Sequence, residues 1–285
     1  MSSHSPDLAA APHWRQAARL LRGQRTVDGG GVELVRVIGT PALSAVDPFL
    51  MLDEFGSDRP QAYIAGFPDH PHRGFETITY MLAGRMRHWD NKGHSGLLGP
   101  GDVQWMTAGR GLIHSEMPEQ QEGLLQGFQF WLNLPASEKM CPPAYQDIPG
   151  ATLPRLTIDD AQATLVAGSL GGAAGPIASP ATQPLIADIR FDRDGQADIP
   201  VPASHNGFVY VYEGRVEIGE ASLEKGVLAV LGAGDALSLR AQAGSRLILA
   251  AGKPLNEPVV RHGPFVMNSR EEILQAFDDY NANRF

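Results

Sequence analysis

The stretch that decides the fold is residues 70–116, HPHRGFETITYMLAGRMRHWDNKGHSGLLGPGDVQWMTAGRGLIHSE. Its centre, ETITYMLAGRMRH, predicts two strands around a tight turn at Ala83 and Gly84. LLGPGDVQWMTAG, which follows, predicts a turn at residues 100–102 and then a further strand. Short β-type runs bounded by Gly, Pro and Asp are typical of antiparallel sheets. The stretch therefore predicts an all-β domain.

The same pair of elements recurs in the second half of the chain. Residues 78–88, ITYMLAGRMRH, are matched by residues 208–218, FVYVYEGRVEI. Residues 97–106, LLGPGDVQWM, are matched by residues 229–239, AVLGAGDALSL. Because two linked elements recur in the same order, the pattern indicates a duplicated all-β unit and hence two small barrels.

Composition narrows the class of protein. The 285 residues are enough for one large domain or two ordinary ones, and the scattered 32 glycines and 22 prolines favour many short strands. A net charge of −9 argues against a general nucleic-acid binder, which needs a basic face for phosphate. A single cysteine, Cys141, excludes an internal disulfide and a cysteine-rich zinc site. This suits a reducing cytosol, so we expect a cytoplasmic protein, and no apolar run reaches transmembrane length.

The two ends of the chain differ from its β-rich middle. Residues 1–26 are expected to form a leader segment, in which Arg15, Arg19 and Arg22 share one helical face. We predict a frayed or loosely docked helix there, with a basic amphipathic arm or an organelle-targeting peptide as the alternatives. At the other end, Ser269 is the expected N-cap of a C-terminal helix that carries acidic residues in its first turn.

The boundaries between these parts follow from composition. The first barrel is expected over residues 27–140 and a proline-rich linker over residues 141–155. The second barrel and the C-terminal helix are expected over residues 156–285.

The histidines of the opening stretch predict a metal site. His70 and His72 are one residue apart, as are His114 and Glu116, and in a strand residues i and i+2 point to the same face. If the two segments lie side by side, three imidazoles and one carboxylate converge inside the barrel. This donor set, without a thiolate, suits iron(II), and also nickel, manganese, copper or zinc. An octahedral metal would keep open positions, as an oxygen-activating or Lewis-acid site requires.

These residues resemble the pirin family, part of the cupin superfamily. The resemblance covers about residues 27–280 and is most specific in HPHRGFETITYML and GPGDVQWMTAGRGLIHSEMP. Three further stretches carry it: DPFLMLDEFG, FQFWLNLPASEKMCPPAYQ and GKPLNEPVVRHGPFVMNSREEI. It implies a bicupin fold, with two antiparallel jelly-roll barrels face to face and a C-terminal helix. It also implies one metal, most often iron, bound in the first barrel by His70, His72, His114 and Glu116.

A second carboxylate competes for the role of fourth ligand. In many other cupins this ligand follows the His-X-His motif, which here points to Glu76. Strand alternation puts Glu76 on the face of His70 and His72 if the strand continues through Gly74 without a bulge. The resemblance to pirins favours Glu116, and Glu76 is then expected either to orient the ligands or to have a structural role.

The remaining histidines are expected to play lesser roles. His88 and His94 flank the segment WDNKGH, which predicts a solvated loop, with the rim of the metal cavity as the alternative. His205 stands where the second barrel would begin a metal motif, but it has no His-X-His partner. The second barrel is therefore expected to hold no metal and to serve packing or to close over the first site.

Two functions follow from the resemblance. Some pirins resemble quercetinases, which implies an iron(II)-dependent dioxygenase that opens flavonols with O₂, with Glu116, or less favourably Glu76, as general base. Other pirins are regulators, which implies a redox-sensitive protein that contacts a transcription factor or a metabolic enzyme. In neither case is a nucleic acid or a membrane an expected partner. A monomer is expected, because two barrels in one chain already provide the pairing that single-barrel cupins obtain by dimerising.

Overall fold

Short antiparallel strands account for nearly all the regular structure in residues 11–285, the part of the chain that the computed structural model describes. The strands up to the middle of the chain are β1 (Ala17–Arg22), β2 (Gln24–Asp28), β3 (Val32–Ile38), β4 (Phe49–Ser57), β5 (Phe67–His72), β6 (Phe75–Ala83), β7 (Met86–Asp90), β8 (Ser95–Leu98), β9 (Val103–Thr107), β10 (Leu112–Pro118), β11 (Leu125–Asn133) and β12 (Ala144–Ile148). Single 3₁₀ turns lie at Pro60–Ala62 and Gly150–Thr152.

The second half of the chain repeats this organisation and ends in a helix. Its elements are β13 (Arg155–Ile158), β14 (Ala161–Ala167), β15 (Ser169–Leu170), β16 (Ala173–Ala174), β17 (Leu185–Phe191), β18 (Gly195–Pro200), β19 (Asn206–Glu213), β20 (Arg215–Ile218), β21 (Ala221–Glu224), β22 (Val227–Leu231), β23 (Ala236–Ala241), β24 (Ser245–Gly252), β25 (Val260–His262), β26 (Phe265–Met267) and α1 (Arg270–Asn281). Among residues 11–285, no helix has the length and apolarity needed to span a bilayer.

Two sets of sheets confirm the expected duplication. The first set is a seven-stranded sheet, β12-β9-β6-β11-β4-β3-β2, with a four-stranded sheet, β5-β10-β7-β8. The second set is β1-β22-β19-β24-β17-β14-β13 with β18-β23-β20-β21, so the two orders correspond strand by strand. Each set is a two-sheet jelly roll rather than a single closed barrel. We call them the first and the second jelly roll.

The outer faces of the two seven-stranded sheets pack against each other, which confirms the face-to-face bicupin fold. β6 and β11 contribute Tyr80, Phe128 and Phe130 to this shared core, and β19 contributes Phe208 and Tyr210. All five side chains are at most 4% exposed. The inner face of each seven-stranded sheet is thereby turned towards its own four-stranded sheet. In the first jelly roll, that interior contains the predicted metal site.

The predicted hairpin of residues 76–88 is wrong in its pairing, although its strands and its turn are correct. β6 belongs to the seven-stranded sheet and β7 to the four-stranded sheet, so the chain crosses between sheets at Gly84. The predicted correspondence between the turns at Asp102 and Asp235 is also wrong. The turn at Asp102 precedes β9, whereas the turn at Asp235 follows β22, and β9 and β22 are the equivalent strands.

The leader helix is wrong for the residues that the structure describes. β1 is a strand that pairs with β22 and forms the edge of the second jelly roll. Arg15 is buried and donates to the carbonyl oxygens of Pro202 and His205, at 2.7 and 2.9 Å. Residues 1–10 of the leader lie outside the described residues. The linker likewise contains a strand, because β12 pairs with β9 and forms the corresponding edge of the first jelly roll.

The C-terminal helix starts as predicted. The Ser269 side chain accepts from the backbone N–H of Glu272, whose side chain accepts from the Ser269 N–H, which makes a capping box. α1 returns to the first jelly roll, where Asp279 accepts from the buried guanidinium of Arg73 at 2.8 Å. The helix therefore fastens the segment that directly follows the His-X-His motif.

Candidate metal centre

One strand pair brings the three predicted histidine ligands together. β10 runs antiparallel to β5, with His114 opposite His70 and Leu112 opposite His72. The register shifts between His114 and Glu116 against β5 but is continuous against β7 on the other side. The two His-X-His/Glu motifs thus lie on neighbouring strands with their side chains on the inner face.

The three imidazoles form a compact cluster. One ring nitrogen from each of His70, His72 and His114 can be chosen so that all three lie within 4.8 Å of one another. Their ring centroids are 4.4 to 4.9 Å apart. His72 and His114 are buried, and His70 is half-buried on the side of the solvent. A cation at the cluster would therefore have protein on one side and an approach from solvent on the other.

The hydrogen bonds of these rings fit a metal ligand set. The Nδ1 of His70 lies 2.8 Å from the carbonyl oxygen of Pro68, which can only accept, so Nδ1 carries a proton and Nε2 is the ring nitrogen left to face a metal. Both ring nitrogens of His114 and the Nδ1 of His72 are buried without a hydrogen-bond partner among residues 11–285. Burial, followed by the neighbouring histidines, lowers the pKa of His72 and of His114 well below the usual value. Burial therefore favours the neutral form of these two rings, which is the form that binds metals.

Glu116 lies beside this cluster rather than in it. The group of donors within 4.8 Å of one another contains, among residues 11–285, no carboxylate oxygen. The buried Glu116 carboxylate accepts from Thr79 Oγ1 at 3.1 Å and from Gln129 Nε2 at 2.9 and 3.2 Å. In that part of the chain no lysine or arginine pairs with it. A buried carboxylate held only by neutral donors, next to three imidazoles, is a charge that a divalent cation would compensate.

Glu76 lies on the other face of its strand. The strand does not continue through Gly74, because β5 and β6 belong to different sheets and Gly74 has φ +89°. In β6, Thr79 faces the interior, whereas Glu76 shares the outer face with Ile78 and Tyr80 of the core between the jelly rolls. The condition under which alternation puts Glu76 beside His70 and His72 is therefore not met.

The environment of Glu76 predicts a pH-dependent cost to stability. Its Oε1 accepts from Thr107 at 2.8 Å, its Oε2 is buried without a partner among the described residues, and burial raises its pKa from 4.5 to about 7. The folded state thus binds more protons than the unfolded state between pH 4.5 and 7, so stability falls as the pH rises through that window. Glu76→Gln should remove this slope. Between pH 4.5 and pH 8, its free energy of unfolding should therefore rise by about 1–3 kcal/mol relative to that of the unsubstituted protein.

Urea unfolding at several pH values checks this prediction, with Glu220→Gln, an exposed carboxylate, as the control. Parallel stability profiles for the unsubstituted protein and Glu76→Gln would contradict it.

His88 does not lie in a solvated loop. It is an inner-face residue of β7, is 2% exposed, and stands opposite Glu116 in the ladder. Its Nε2 lies 2.8 Å from Asp147 Oδ2, and its ring stacks on Tyr145 of β12. His94 lies in the turn after β7, half-exposed, with its Nδ1 2.8 Å from Asp90 Oδ2. His88 is buried because the chain crosses between the sheets at Gly84, which turns alternate residues of β7 inward.

The equivalent place in the second jelly roll is apolar. β18 pairs with β23 there, and the ladder sets Ala197 opposite Leu239 and Ile199 opposite Leu237. All four side chains are completely buried in the core of that jelly roll. The second jelly roll thus uses for packing the positions that the first uses for imidazoles.

The imidazole cluster opens into a cavity of about 580 Å³. Both apolar and charged side chains line it: Asp28, Arg36, Met51, Asp53, Phe67, Pro68, Asp69, His70, His72, Gln129, Trp131, Arg261 and Pro264, with Gly29 and Gly263. This volume is within the range of small-molecule sites. Gln129 connects the cavity to Glu116 through its side-chain amide.

Thr79 and Gln129, which hold Glu116, are functional residues that were not predicted from the sequence. Gln129 stands between Phe128 and Phe130, both of which pack in the core between the jelly rolls. Alternation along β11 therefore turns Gln129 inward. A polar residue flanked by two core aromatics was the signal that the opposite face of this strand is polar.

Comparison with known proteins identifies the family. A sequence model of Pirin matches residues 31–132, and a model of the pirin C-terminal cupin domain matches residues 186–285. The chain belongs to the pirin family. Pirin from Homo sapiens is 42% identical over 260 residues, which cover 89% of this chain and 88% of that protein. The resemblance found in the sequence is thereby confirmed.

Two further relatives of this pirin carry the name of an activity. A protein of Pseudomonas aeruginosa named "Putative quercetin 2,3-dioxygenase" is 50% identical over 275 residues, covering 94% of this chain and 96% of its own. The crystal structure of quercetin 2,3-dioxygenase from Acinetobacter baumannii superposes with a TM-score of 0.89 at 31% identity, over 95% of this chain and 98% of that one.

Proposed function

We propose that this pirin is an iron(II)-dependent dioxygenase of the quercetin 2,3-dioxygenase type, which opens flavonol rings with O₂. The observation that carries the proposal is the cluster of three imidazoles, two of them lining a cavity large enough for a planar aromatic molecule. The names of the relatives from Pseudomonas aeruginosa and Acinetobacter baumannii support the same reaction.

His70, His72 and His114 would hold the metal, and Glu116 is the proposed fourth ligand. When bound, a divalent iron supplies a Lewis acid with open positions for oxygen chemistry. The protein contributes the fixed orientation of the rings, which for His70 comes from the bond to Pro68. Met51, Phe67 and Trp131 provide apolar walls that exclude water from a bound aromatic substrate.

Glu116 is the proposed acceptor of the substrate's hydroxyl proton. Each carboxylate oxygen has two lone pairs, and Oε2 uses one of them, towards Gln129 Nε2. The second lone pair of Oε2 can bind the metal or accept a proton, one at a time, so Glu116 would act as ligand and as base in turn. Thr79 and Gln129 keep the carboxylate in place without neutralising its charge, because both are neutral donors.

Oxygen uptake by the iron(II)-loaded protein with quercetin under air tests the proposal. We expect uptake that requires both the metal and the flavonol and that disappears in the double variant His70→Ala, His72→Ala. Glu116→Gln keeps the shape and the bond to Thr79 but removes the base, so it should lower the rate by about 100-fold or more. Glu76→Gln is the matched control, and its rate should remain unchanged, since Glu76 lies on the outer face of β6.

The outcomes separate the roles of the two carboxylates. Equal loss in Glu116→Gln and Glu76→Gln would contradict the assignment of the base. Absence of uptake by a fully loaded protein would overturn the dioxygenase proposal and would favour a regulatory pirin that acts through protein contacts.

A further inference from the structure

The mouth of the metal cavity holds two arginines with different surroundings. Arg36 is engaged by carboxylates: it donates to both oxygens of Asp53, at 2.9 and 2.7 Å, and to Asp28 at 2.7 Å. Its charge and most of its donors are therefore already used. Arg36 and its two partners form a closed ionic group on one side of the cavity.

Arg261 has no such partner. Its guanidinium carbon lies 4.5 Å from the centroid of the Trp131 ring, and its other contacts are weak, to the Gly263 carbonyl oxygen at 3.5 Å and to Met51 Sδ at 3.9 Å. Among residues 11–285, no carboxylate forms an ion pair with it. Most of its five N–H donors are thus free, on a residue that lines the cavity and is exposed to solvent.

The position of Arg261 relative to the imidazoles is fixed by stacking. Trp131 is 6% exposed, and its ring lies 5.2 Å from the ring of His72 and 4.2 Å from that of Phe75. Arg261 is therefore one ring away from a predicted metal ligand. Stacking on an indole holds a guanidinium in place without using its hydrogen-bond donors.

We propose that Arg261 determines specificity by binding an anionic oxygen, a carboxylate or an ionised phenol, at the end of a planar aromatic substrate that points away from the imidazole cluster. This inference rests on the proposed function and names the class of substrate for the same cavity. A held guanidinium with free donors favours an anion, because charge-assisted hydrogen bonds are stronger than neutral ones. Arg36 cannot take this role while Asp28 and Asp53 occupy it.

A matched pair of catechols tests the proposal. 3,4-Dihydroxybenzoate carries a carboxylate, and its methyl ester has the same ring and the same two hydroxyls without the charge. Binding of each to the zinc-loaded protein, which cannot turn over, is measured by calorimetry. The acid should bind about tenfold or more tightly than the ester. In Arg261→Met this preference should fall to about twofold or less, while in Arg193→Met, an exposed arginine of the second jelly roll, it should be unchanged.

The remaining outcomes overturn the assignment. A preference for the acid that survives in Arg261→Met, or equal binding of acid and ester by the unsubstituted protein, would refute it. Absence of any binding of either catechol would refute it as well.

Oxygen uptake with quercetin, measured on the same protein and variants after loading with iron(II) instead of zinc, separates this result from the proposed function. Uptake without a charge preference would leave the dioxygenase and remove the role of Arg261. A charge preference that depends on Arg261, without oxygen uptake, would support the role of Arg261 and overturn the dioxygenase proposal.

Discussion

Replacing His114 with alanine should weaken the binding of a divalent metal by more than about 100-fold. Loss of a residue that only hydrogen-bonds a ligand typically weakens metal binding by about 10–100-fold, and loss of a ligand itself should cost more. His114 is completely buried, and it is the one ligand that β10 contributes to the imidazole cluster. The fold should persist. Both ring nitrogens of His114 lack a hydrogen-bond partner among the described residues. Removing them therefore relieves a desolvation penalty, which offsets the free-energy cost of the cavity left behind.

Calorimetric titration of the metal-free protein with zinc or iron(II) measures this effect, and thermal unfolding of the metal-free protein reports on the fold. His13→Ala removes an exposed histidine that precedes β1, at the second jelly roll, and should leave the affinity unchanged. An affinity of His114→Ala within threefold of the unsubstituted protein would show that the cluster does not hold the metal.

The imidazole cluster could be predicted because its information is local. Strand alternation alone aligns His70 with His72, and His114 with Glu116. Only one further assumption was needed, that the two strands are neighbours, and the ladder of β5 with β10 meets it. The duplication was equally accessible, since the Gly-Arg turns at Gly84 and Gly214 mark the same sheet crossing in both jelly rolls.

The parts that could not be predicted depend on contacts between distant segments. β1 is short and largely exposed, and it is a strand because the edge of β22, some two hundred residues later, completes its hydrogen bonds. Its two arginines, Arg19 and Arg22, fit a helical face with Arg15 equally well, and local propensity is too weak to decide between helix and strand. Arg261 comes from β25 and meets Trp131 of β11 only in the folded chain.

The face on which Glu76 lies could not be predicted for a different reason. Alternation fails at any residue where a strand bends out of its sheet, and Gly74 is such a residue. A glycine between two strand-like runs is the usual mark of a break, but the sequence does not show on which side of it the face changes.

The bend at Gly74 leads to the second large effect, on stability. Gly74→Ala should destabilise the protein by about 3 kcal/mol or more, through both a strained backbone and a clash. Its φ of +89° disfavours any side chain, and an added Cβ would collide with the carbonyl oxygen of Val266 and lie 2.9 Å from Met267 Sδ. The Val266 carbonyl does not move easily, since Lys139 Nζ bridges the carbonyl oxygens of Gly74 and Val266, at 2.7 and 3.1 Å.

Gly93→Ala separates the two causes, because Gly93 has nearly the same φ, +93°, but nothing within 4 Å of an added Cβ. It should cost only the backbone strain, about 1 kcal/mol. Urea unfolding of both variants gives the difference, which measures the clash. Gly74 directly follows His72 and Arg73, so Gly74→Ala should also weaken metal binding, whereas Gly93→Ala should not. Equal destabilisation by the two substitutions would mean that β26 yields to a side chain at Gly74, and that the bend does not depend on this contact to hold His72 in place.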